Sequence, residues 1–174
     1  MTNASPPAQP VFRLTSPTPQ DIAAVAALLQ ANESGEGSLT GKFPDEKVRG
    51  MLVQPSPVVS AWDGDQLLGV LFTMEATAAA SVPVLAAMRK AWPGSPSDYL
   101  YGPVCVAEKA RGKGLLRQLH DRIRAHLPGR AAVLFIADSN HVSRSAHERL
   151  GMRAVASFEW TDGLCWVYTD AAQV

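Results

Sequence analysis

The chain has 174 residues, of which 47% are hydrophobic, and it carries 16 acidic and 16 basic side chains. This length and apolar content are typical of one globular domain and argue against intrinsic disorder. The balanced charge gives no bulk electrostatic reason to bind nucleic acid or an anionic membrane, and no stretch approaches the roughly 20 apolar residues of a membrane-spanning helix.

Residues 1–10 are rich in Pro and Ser and lack the basic and apolar regions of a signal peptide. They are expected to form a disordered tail before a single domain over residues 11–174. Cys105 and Cys165 both lie in apolar segments, where buried free thiols are the usual outcome, and two cysteines make no disulfide framework. These features favour a cytoplasmic protein.

The first half of the chain predicts alternating strands and helices. Residues 11–14 predict a strand. Thr18 and Pro19 then predict a helix start, because a hydroxyl side chain suits the N-cap and proline suits the first helical position. The next predicted elements are a short helix around residues 45–53 and two strands, residues 58–62 and 67–75, joined through Asp63-Gly64.

Residues 76–97 give the weakest signals. The segment is rich in alanine, contains Pro83, predicts a helix over residues 84–92, and ends in a turn at Pro93-Gly94. It has the character of an insertion, and three roles stay open: lining a ligand pocket, covering the pocket as a lid, or forming a subunit contact. A homodimer therefore stays open as well.

Residues 98–107 predict a central strand that leads into a basic, glycine-rich loop. Gly102-Pro103 interrupts this strand, because proline has no N–H to donate, and a β-bulge is expected there. The loop Arg111-Gly-Lys-Gly114 then precedes a helix. The free amides and the dipole of the first helical turn, together with the cations, indicate a ligand that carries a diphosphate.

Two other phosphate-binding motifs are excluded by spacing. The dinucleotide fingerprint requires a third glycine where Arg117 stands. The P-loop requires a glycine and a hydroxyl where Ala107 and Gly114 stand.

The last third of the chain predicts two further helices and three strands. The first helix covers residues 115–127, and a buried strand follows over residues 131–137. Ser139 or Asn140 caps the second helix, whose inner face carries Val142, Ala146 and Leu150. Residues 153–160 and 164–169 then predict a hairpin. The four histidines include no i,i+4 pair and have no acidic cluster beside them, so no metal site is expected.

The order of these residues resembles the GNAT superfamily of acyl-CoA-dependent N-acetyltransferases, over roughly residues 11–169. The family pattern Arg/Gln-x-x-Gly-x-Gly/Ala matches residues 111–116, except that Leu116 replaces the final Gly or Ala. A second family pattern, Asn-x-x-Ala-x-x-x-Tyr-x-x-x-Gly-Phe, resembles residues 140–152, where Ser143, His147 and Met152 stand in the places of the Ala, the Tyr and the Phe.

The resemblance implies an α/β (α+β) fold with a mixed, mostly antiparallel sheet of about seven strands, splayed at a bulge in the central strand and flanked by about four helices. It also implies acetyl-CoA as the co-substrate, with the pantetheine arm beside the backbone of the central strand. The residues expected to bind coenzyme A are Val104, Cys105, Val106, Arg111, Gly112, Lys113, Gly114, Leu115, Leu116, Asn140 and Ser143.

Acetyl transfer to an amine needs a base for the ammonium, donors for the thioester oxygen and a proton for the leaving thiolate. The resemblance gives His147 the last role, although a half-exposed helix residue with water as the acid is the alternative. The family's usual base position falls on Leu100, so Glu75 and Asp98 become the catalytic candidates, beside Tyr99 and Tyr101. Each of these four has a plain alternative role in the core or in solvent.

The sequence therefore predicts an enzyme, an N-acetyltransferase that moves acetyl from acetyl-CoA to a primary amine of a small molecule or protein by direct attack on the thioester. A non-catalytic acyl-CoA-binding module is one alternative, and a generic phosphate- or nucleotide-binding α/β domain is another.

Overall fold

The computed structural model describes residues 9–33 and 39–172, so most of the predicted tail lies outside the described residues. The strands are β1 (Val11–Leu14), β2 (Val59–Asp63), β3 (Gln66–Glu75), β4 (Tyr99–Val106), β5 (Ala132–Ala137), β6 (Arg153–Trp160) and β7 (Gly163–Thr169). The helices are α1 (Pro19–Gln30), α2 (Asp45–Leu52), α3 (Pro83–Ala91), α4 (Leu115–His126) and α5 (His141–Arg149), with short 3-10 segments at Ala76–Ser81 and Glu108–Ala110.

The seven strands form one open sheet in the order β1-β2-β3-β4-β5-β7-β6. Only the β4–β5 pair is parallel; the other neighbours are antiparallel. The predicted mixed, mostly antiparallel sheet of about seven strands is therefore confirmed. Within the described ranges five α-helices flank the sheet instead of about four, and none of them is long and apolar enough to cross a membrane.

The start of α1 follows from its sequence. Thr18 Oγ1 accepts a hydrogen bond from Asp21 N–H at 3.1 Å, and Pro19 fills the first turn, where a missing N–H costs nothing. The buried Asp21 carboxylate also accepts two hydrogen bonds from the Arg13 guanidinium, at 2.7 and 3.1 Å. This ion pair fixes the first strand against the first helix.

The helices cover both faces of the sheet, and alternate residues of β4 contact different helices. Tyr99 and Tyr101 pack with the buried side of α4, whereas Leu100 packs with Met88 of α3. Cys105 belongs to the cluster formed by α1 and α2. Helices α4 and α5 therefore lie on one face, and α1, α2 and α3 lie on the other.

The predicted bulge is present in β4. Leu71 of β3 pairs with Val104, and Thr73 pairs with Tyr101. One residue of β3 lies between these two pairs, but two residues of β4, Gly102 and Pro103, lie opposite it. The β-bulge at this dipeptide is thereby confirmed, with Gly102 at a φ of 111°.

The buried side of α5 differs from the prediction. Val142, expected to face inward, is 53% exposed, whereas His147 is 2% exposed. Ala146 and Leu150 are half-buried. The apolar pattern therefore misplaced the buried stripe of this helix, because a histidine and not an aliphatic residue occupies its innermost position.

Candidate functional site

A gap opens in the sheet between β4 and β5. These strands pair only where Tyr99 meets Ala132 and Leu100 meets Val133, and they separate beyond that point. On its other side β4 stays bonded to β3, since Ala107 N–H donates to Leu68 O at 2.8 Å. Hydrogen-bonded pairs alternate along an antiparallel ladder, so the backbone amides of Val104 and Val106 face the gap.

The first of two cavities at this gap, here called the loop cavity, has a volume of about 490 Å³. It lies between the end of β4, the start of α4 and the side of α5. Nine residues expected to bind coenzyme A line it: Val104, Cys105, Val106, Arg111, Gly112, Gly114, Leu115, Leu116 and Ser143.

The loop before α4 has the backbone geometry of an anion site. Gly112 and Gly114 have φ values of 71° and 75°, in the left-handed region that L side chains rarely adopt. Gly114 is the N-cap of α4 and offers no side chain to the first-turn amides. Those amides, at Leu115, Leu116 and Arg117, have no intrahelical acceptor and can donate to a phosphate.

The second cavity, here called the α2–α3 cavity, has a volume of about 520 Å³. Its lining comes from α2 and α3, from strands β3, β4 and β5, and from α5 with its N-cap. Val82, Val84, Leu85 and Met88 of the weakly predicted segment form part of its wall. Of the three roles left open for residues 76–97, the structure therefore shows the lining of a pocket.

The two cavities meet at His147. Four residues line both of them: Leu39, Val104, Ser143 and His147. The imidazole also packs edge-to-face against Tyr101, with 5.5 Å between ring centroids. A ligand in either cavity therefore reaches the surroundings of the same imidazole.

The hydrogen bonds of His147 define its neutral form. Nδ1 lies 2.8 Å from the carbonyl oxygen of Ser143 and 3.3 Å from its hydroxyl. A carbonyl oxygen only accepts, so Nδ1 carries the proton and Nε2 carries a lone pair. Nε2 is buried and has no partner among the described residues. Burial lowers the pKa of His147, partly opposed by the bond to Ser143 O, so the neutral form dominates at pH 7.

Many solved structures share this architecture, and three that are named as N-acetyltransferases are described here. An N-acetyltransferase from Staphylococcus aureus superimposes with a TM-score of 0.67 at 16% identity, covering 93% of this chain and 97% of that one. An aminoglycoside 6'-N-acetyltransferase complexed with coenzyme A gives 0.65 at 15% identity, with 91% and 95% covered. The ribosomal-protein-S18-alanine N-acetyltransferase of Escherichia coli gives 0.62 at 12% identity, with 91% and 92% covered.

The chain has the GNAT fold. At these identities the likeness establishes the architecture alone. The sequence itself matches no protein-family model and no curated protein.

Within the GNAT fold, the two cations of the loop, Arg111 and Lys113, have different surroundings. Arg111 lines the loop cavity, where its guanidinium donates to Val106 O at 3.3 Å and to Asn32 Oδ1 at 2.6 Å. Lys113 is exposed and is not among the lining residues. The sequence treated these residues alike, whereas of the two only Arg111 lines the loop cavity.

We expect Arg111→Ala to raise the KM for acetyl-CoA about fivefold, because an exposed charge-assisted hydrogen bond contributes about 1 kcal/mol. Lys113→Ala is the matched control, since it removes an equal charge two residues away. Initial rates at 50 and 200 mM salt measure both. Equal effects of the two variants would mean that the loop attracts the cofactor only through its net charge.

Asn140 keeps the predicted N-cap role, because its Oδ1 accepts a hydrogen bond from Ser143 N–H at 3.0 Å. It lines the α2–α3 cavity and not the loop cavity. The expected bond from Asn140 to the pantetheine arm stays a prediction.

The two carboxylates expected near the chemistry lie elsewhere. Glu75 is 48% exposed and forms a two-point ion pair with Arg130, at 2.7 and 3.0 Å, which lowers the pKa of the carboxyl. Asp98 is buried, accepts from Ser95 N–H at 2.8 Å and pairs with Arg89 at 3.3 Å. Neither residue lines the loop cavity or the α2–α3 cavity, so the structure does not bring them to His147.

The two tyrosine candidates are buried core residues. Tyr99 is 1% exposed and Tyr101 is 6% exposed, and burial raises the pKa of both phenols well above 10. A phenol that resists ionisation is a poor base at neutral pH. Tyr101 also lines the α2–α3 cavity, so it has a place in shaping the site.

Sequence reasoning missed several residues of the loop cavity. Val142, Ala146, Arg149 and Leu150 of α5 line it at helical spacing, and that spacing was the signal that could have found them. Asn32 contributes from the end of α1, and no local pattern links it to Arg111, which is 79 residues away in the chain.

Proposed function

We propose that the protein is an acetyl-CoA-dependent N-acetyltransferase that transfers an acetyl group to a primary amine. The observation that carries this proposal is the position of His147, a buried imidazole with an unpartnered Nε2 at the junction of two cavities. One of these cavities adjoins the glycine loop before α4, which would bind the diphosphate, and the other lies between α2, α3 and the gap in the sheet. The balanced charge and the two buried free thiols suit a cytoplasmic enzyme.

The loop cavity would hold acetyl-CoA. The diphosphate would accept hydrogen bonds from the first-turn amides of α4 and from Arg111, whose positive charge the helix dipole supplements. The pantetheine arm would lie along β4, where the amides of Val104 and Val106 face the gap left by β5. Leu116, half-buried at the cavity wall, keeps its backbone N–H despite replacing the small residue of the family pattern.

His147 suits the role of base better than that of acid. A neutral imidazole has one N–H, and that of His147 is directed at Ser143 O, so Nε2 can accept a proton but has none to give. This reverses the direction of proton transfer expected from the sequence. A buried acceptor without a partner is costly, and an ammonium group that displaced the side chains covering Nε2 would supply that partner.

The reaction then balances without further groups. The ammonium of the acceptor gives one proton to His147 Nε2, and the amine nitrogen attacks the carbonyl carbon of the thioester. The carbon–sulfur bond breaks, the nitrogen gives its second proton to the departing thiolate, which leaves as the free thiol, and His147 returns the first proton to solvent. An amide at Val104 or Val106 would stabilise the negative charge on the carbonyl oxygen during attack.

Calorimetry with acetyl-CoA, followed by a thiol-release assay with a panel of amines, tests this proposal. We expect acetyl-CoA to bind more tightly than ATP or NAD, and thiol release to depend on the amine. Binding without thiol release on any amine would indicate the non-catalytic acyl-CoA-binding module. Equal binding of ATP and NAD would indicate a generic nucleotide-binding domain.

A further inference from the structure

We propose that the acceptor is a single primary amine on an apolar body, aromatic or branched aliphatic, which binds in the α2–α3 cavity. This inference rests on the proposed function, because it names the substrate class of that same site. It follows from the lining of the cavity, its charge and the position of its polar groups.

The α2–α3 cavity has the size and surface of a pocket for a small apolar molecule. Its volume of about 520 Å³ falls within the range of roughly 300–1,000 Å³ that is usual for small-molecule sites. Large apolar side chains from four parts of the chain line it. They include Phe43, Met51, Met74, Leu85, Met88 and Phe135.

Three of these side chains are methionines from three different elements. Met51 belongs to α2, Met74 to β3 and Met88 to α3. Thioether side chains are flexible and polarisable, and sulfur contacts aromatic rings favourably. A wall of this composition favours a bulky apolar group, and it tolerates either a ring or a branched chain.

The charge of the wall disfavours an acceptor with more than one cation. With His147 neutral, Lys47 is the one charged side chain among the described residues that line the cavity. Its Nζ donates to Lys42 O at 2.7 Å and lies 4.4 Å from the centre of the Phe43 ring. A second ammonium group on the acceptor would therefore meet a cation and apolar surface, without a carboxylate from the described wall.

Three polar residues of the cavity, Asn140, Ser143 and His147, come from α5 and its N-cap, and Ser143 and His147 also line the loop cavity. The other polar lining residues are Thr40, Lys47 and Gln54. An amphiphilic amine would therefore place its nitrogen beside His147 and its apolar body against the methionines. Burial in an apolar cavity also lowers the pKa of an ammonium group, which assists loss of the proton, whereas a polyamine would lose hydration at every charge.

The test compares acceptors on the full-length protein after calorimetry has measured acetyl-CoA binding. The panel contains 2-phenylethylamine and isoamylamine as apolar amines, and spermidine, an aminoglycoside and a lysine-rich peptide as polycations. We expect kcat/KM for the apolar amines to exceed that for the polycations at least about tenfold, since even one methylene in an apolar pocket changes the ratio by about 10-fold or more.

A charge placed in the wall should change this preference. Met51→Glu is expected to lower kcat/KM for 2-phenylethylamine and to raise it for spermidine. Val53→Glu is the matched control, because residue 53 is 63% exposed and lines neither cavity. The panel on the unmodified protein decides the inference even if Met51→Glu does not fold.

The outcomes separate this inference from the proposed function. Acetyl transfer that prefers apolar amines supports both. Two outcomes overturn the substrate class and leave the acetyltransferase activity supported. One is faster acetyl transfer to the polycations, and the other is an equal change in transfer for Met51→Glu and Val53→Glu. Absence of acetyl-CoA binding, or binding without transfer to any amine, overturns the proposed function.

Discussion

Replacing His147 with alanine is expected to lower kcat for acetyl transfer by about 10²–10³, within the range that a positioned general base contributes. The KM for acetyl-CoA should change little, because the anion-binding loop is formed by other residues. Measuring both constants with a saturating amine distinguishes loss of chemistry from loss of binding.

His120→Ala is the control for the loss of stability that follows when any buried histidine is removed. His120 is 2% exposed and packs against the same Tyr101 ring, at 5.8 Å between centroids, yet it lines neither cavity. Its Nε2 instead contacts Asp170 at 3.2 Å. This variant should lose stability and keep kcat for the folded fraction. Equal losses of kcat in both variants would assign His147 a structural role.

The pH dependence of kcat separates the two directions of proton transfer. Burial lowers the pKa of His147, and the neighbouring His120 acts in the same direction, so a base is fully active above that lowered pKa. Its rate falls as pH decreases through this value, which lies below 6.5. An acid would show the opposite limb, with a rate that increases as pH decreases. At pH near 10 the amine deprotonates itself, and the defect of His147→Ala should shrink.

Gly114→Ala is expected to raise the KM for acetyl-CoA about 5- to 30-fold. An L residue in the left-handed region costs about 1–2 kcal/mol, which depopulates the loop conformation that presents the first-turn amides of α4. The apparent affinity for acetyl-CoA is reduced in proportion to the fraction of molecules that keep this conformation. The added Cβ meets no atom within 4 Å, so strain and not a steric clash inside the protein is the expected cause.

Gly129→Ala provides a close control at the other end of the same helix. Gly129 has a φ of 74°, compared with 75° for Gly114, and a Cβ there also meets nothing within 4 Å. Both variants should lower the midpoint of thermal unfolding by similar amounts. Only Gly114→Ala should weaken acetyl-CoA, as measured by calorimetry. If Gly129→Ala weakens it equally, the effect comes from general destabilisation of α4.

Much of the fold was predictable because its signals are local. The cap at Thr18 and Pro19, the turn-forming glycines and the proline that interrupts β4 each determine their own few residues. The splaying of β4 from β5 came instead from the resemblance of the loop and of α5 to a known family. No local pattern states that two neighbouring strands separate after two residue pairs.

The lining of the loop cavity was predictable for the same reason, since nine of its residues lie within one strand, its loop and the next two helices. The surroundings of the two candidate carboxylates were not. Glu75 and Asp98 have the right chemistry, but Arg130 and Arg89 bind them. The Glu75–Arg130 pair joins residues 55 apart in the chain, and the Asp98–Arg89 pair depends on how the turn after α3 folds back. The α2–α3 cavity could not be predicted for a similar reason, because its wall combines apolar residues from α2, β3, α3 and β5, each of which resembles ordinary core.

The presence of two cavities that share only four of their lining residues has a kinetic consequence. If acetyl-CoA occupies one cavity and the amine the other, as proposed, neither has to depart before the other arrives, and both can occupy the protein together. Double-reciprocal plots of initial rate should then intersect, in contrast to the parallel lines produced by an acylated enzyme. Cys105 gives no ready alternative route, because burial raises the pKa of its thiol to about 11 and its side chain packs toward α1.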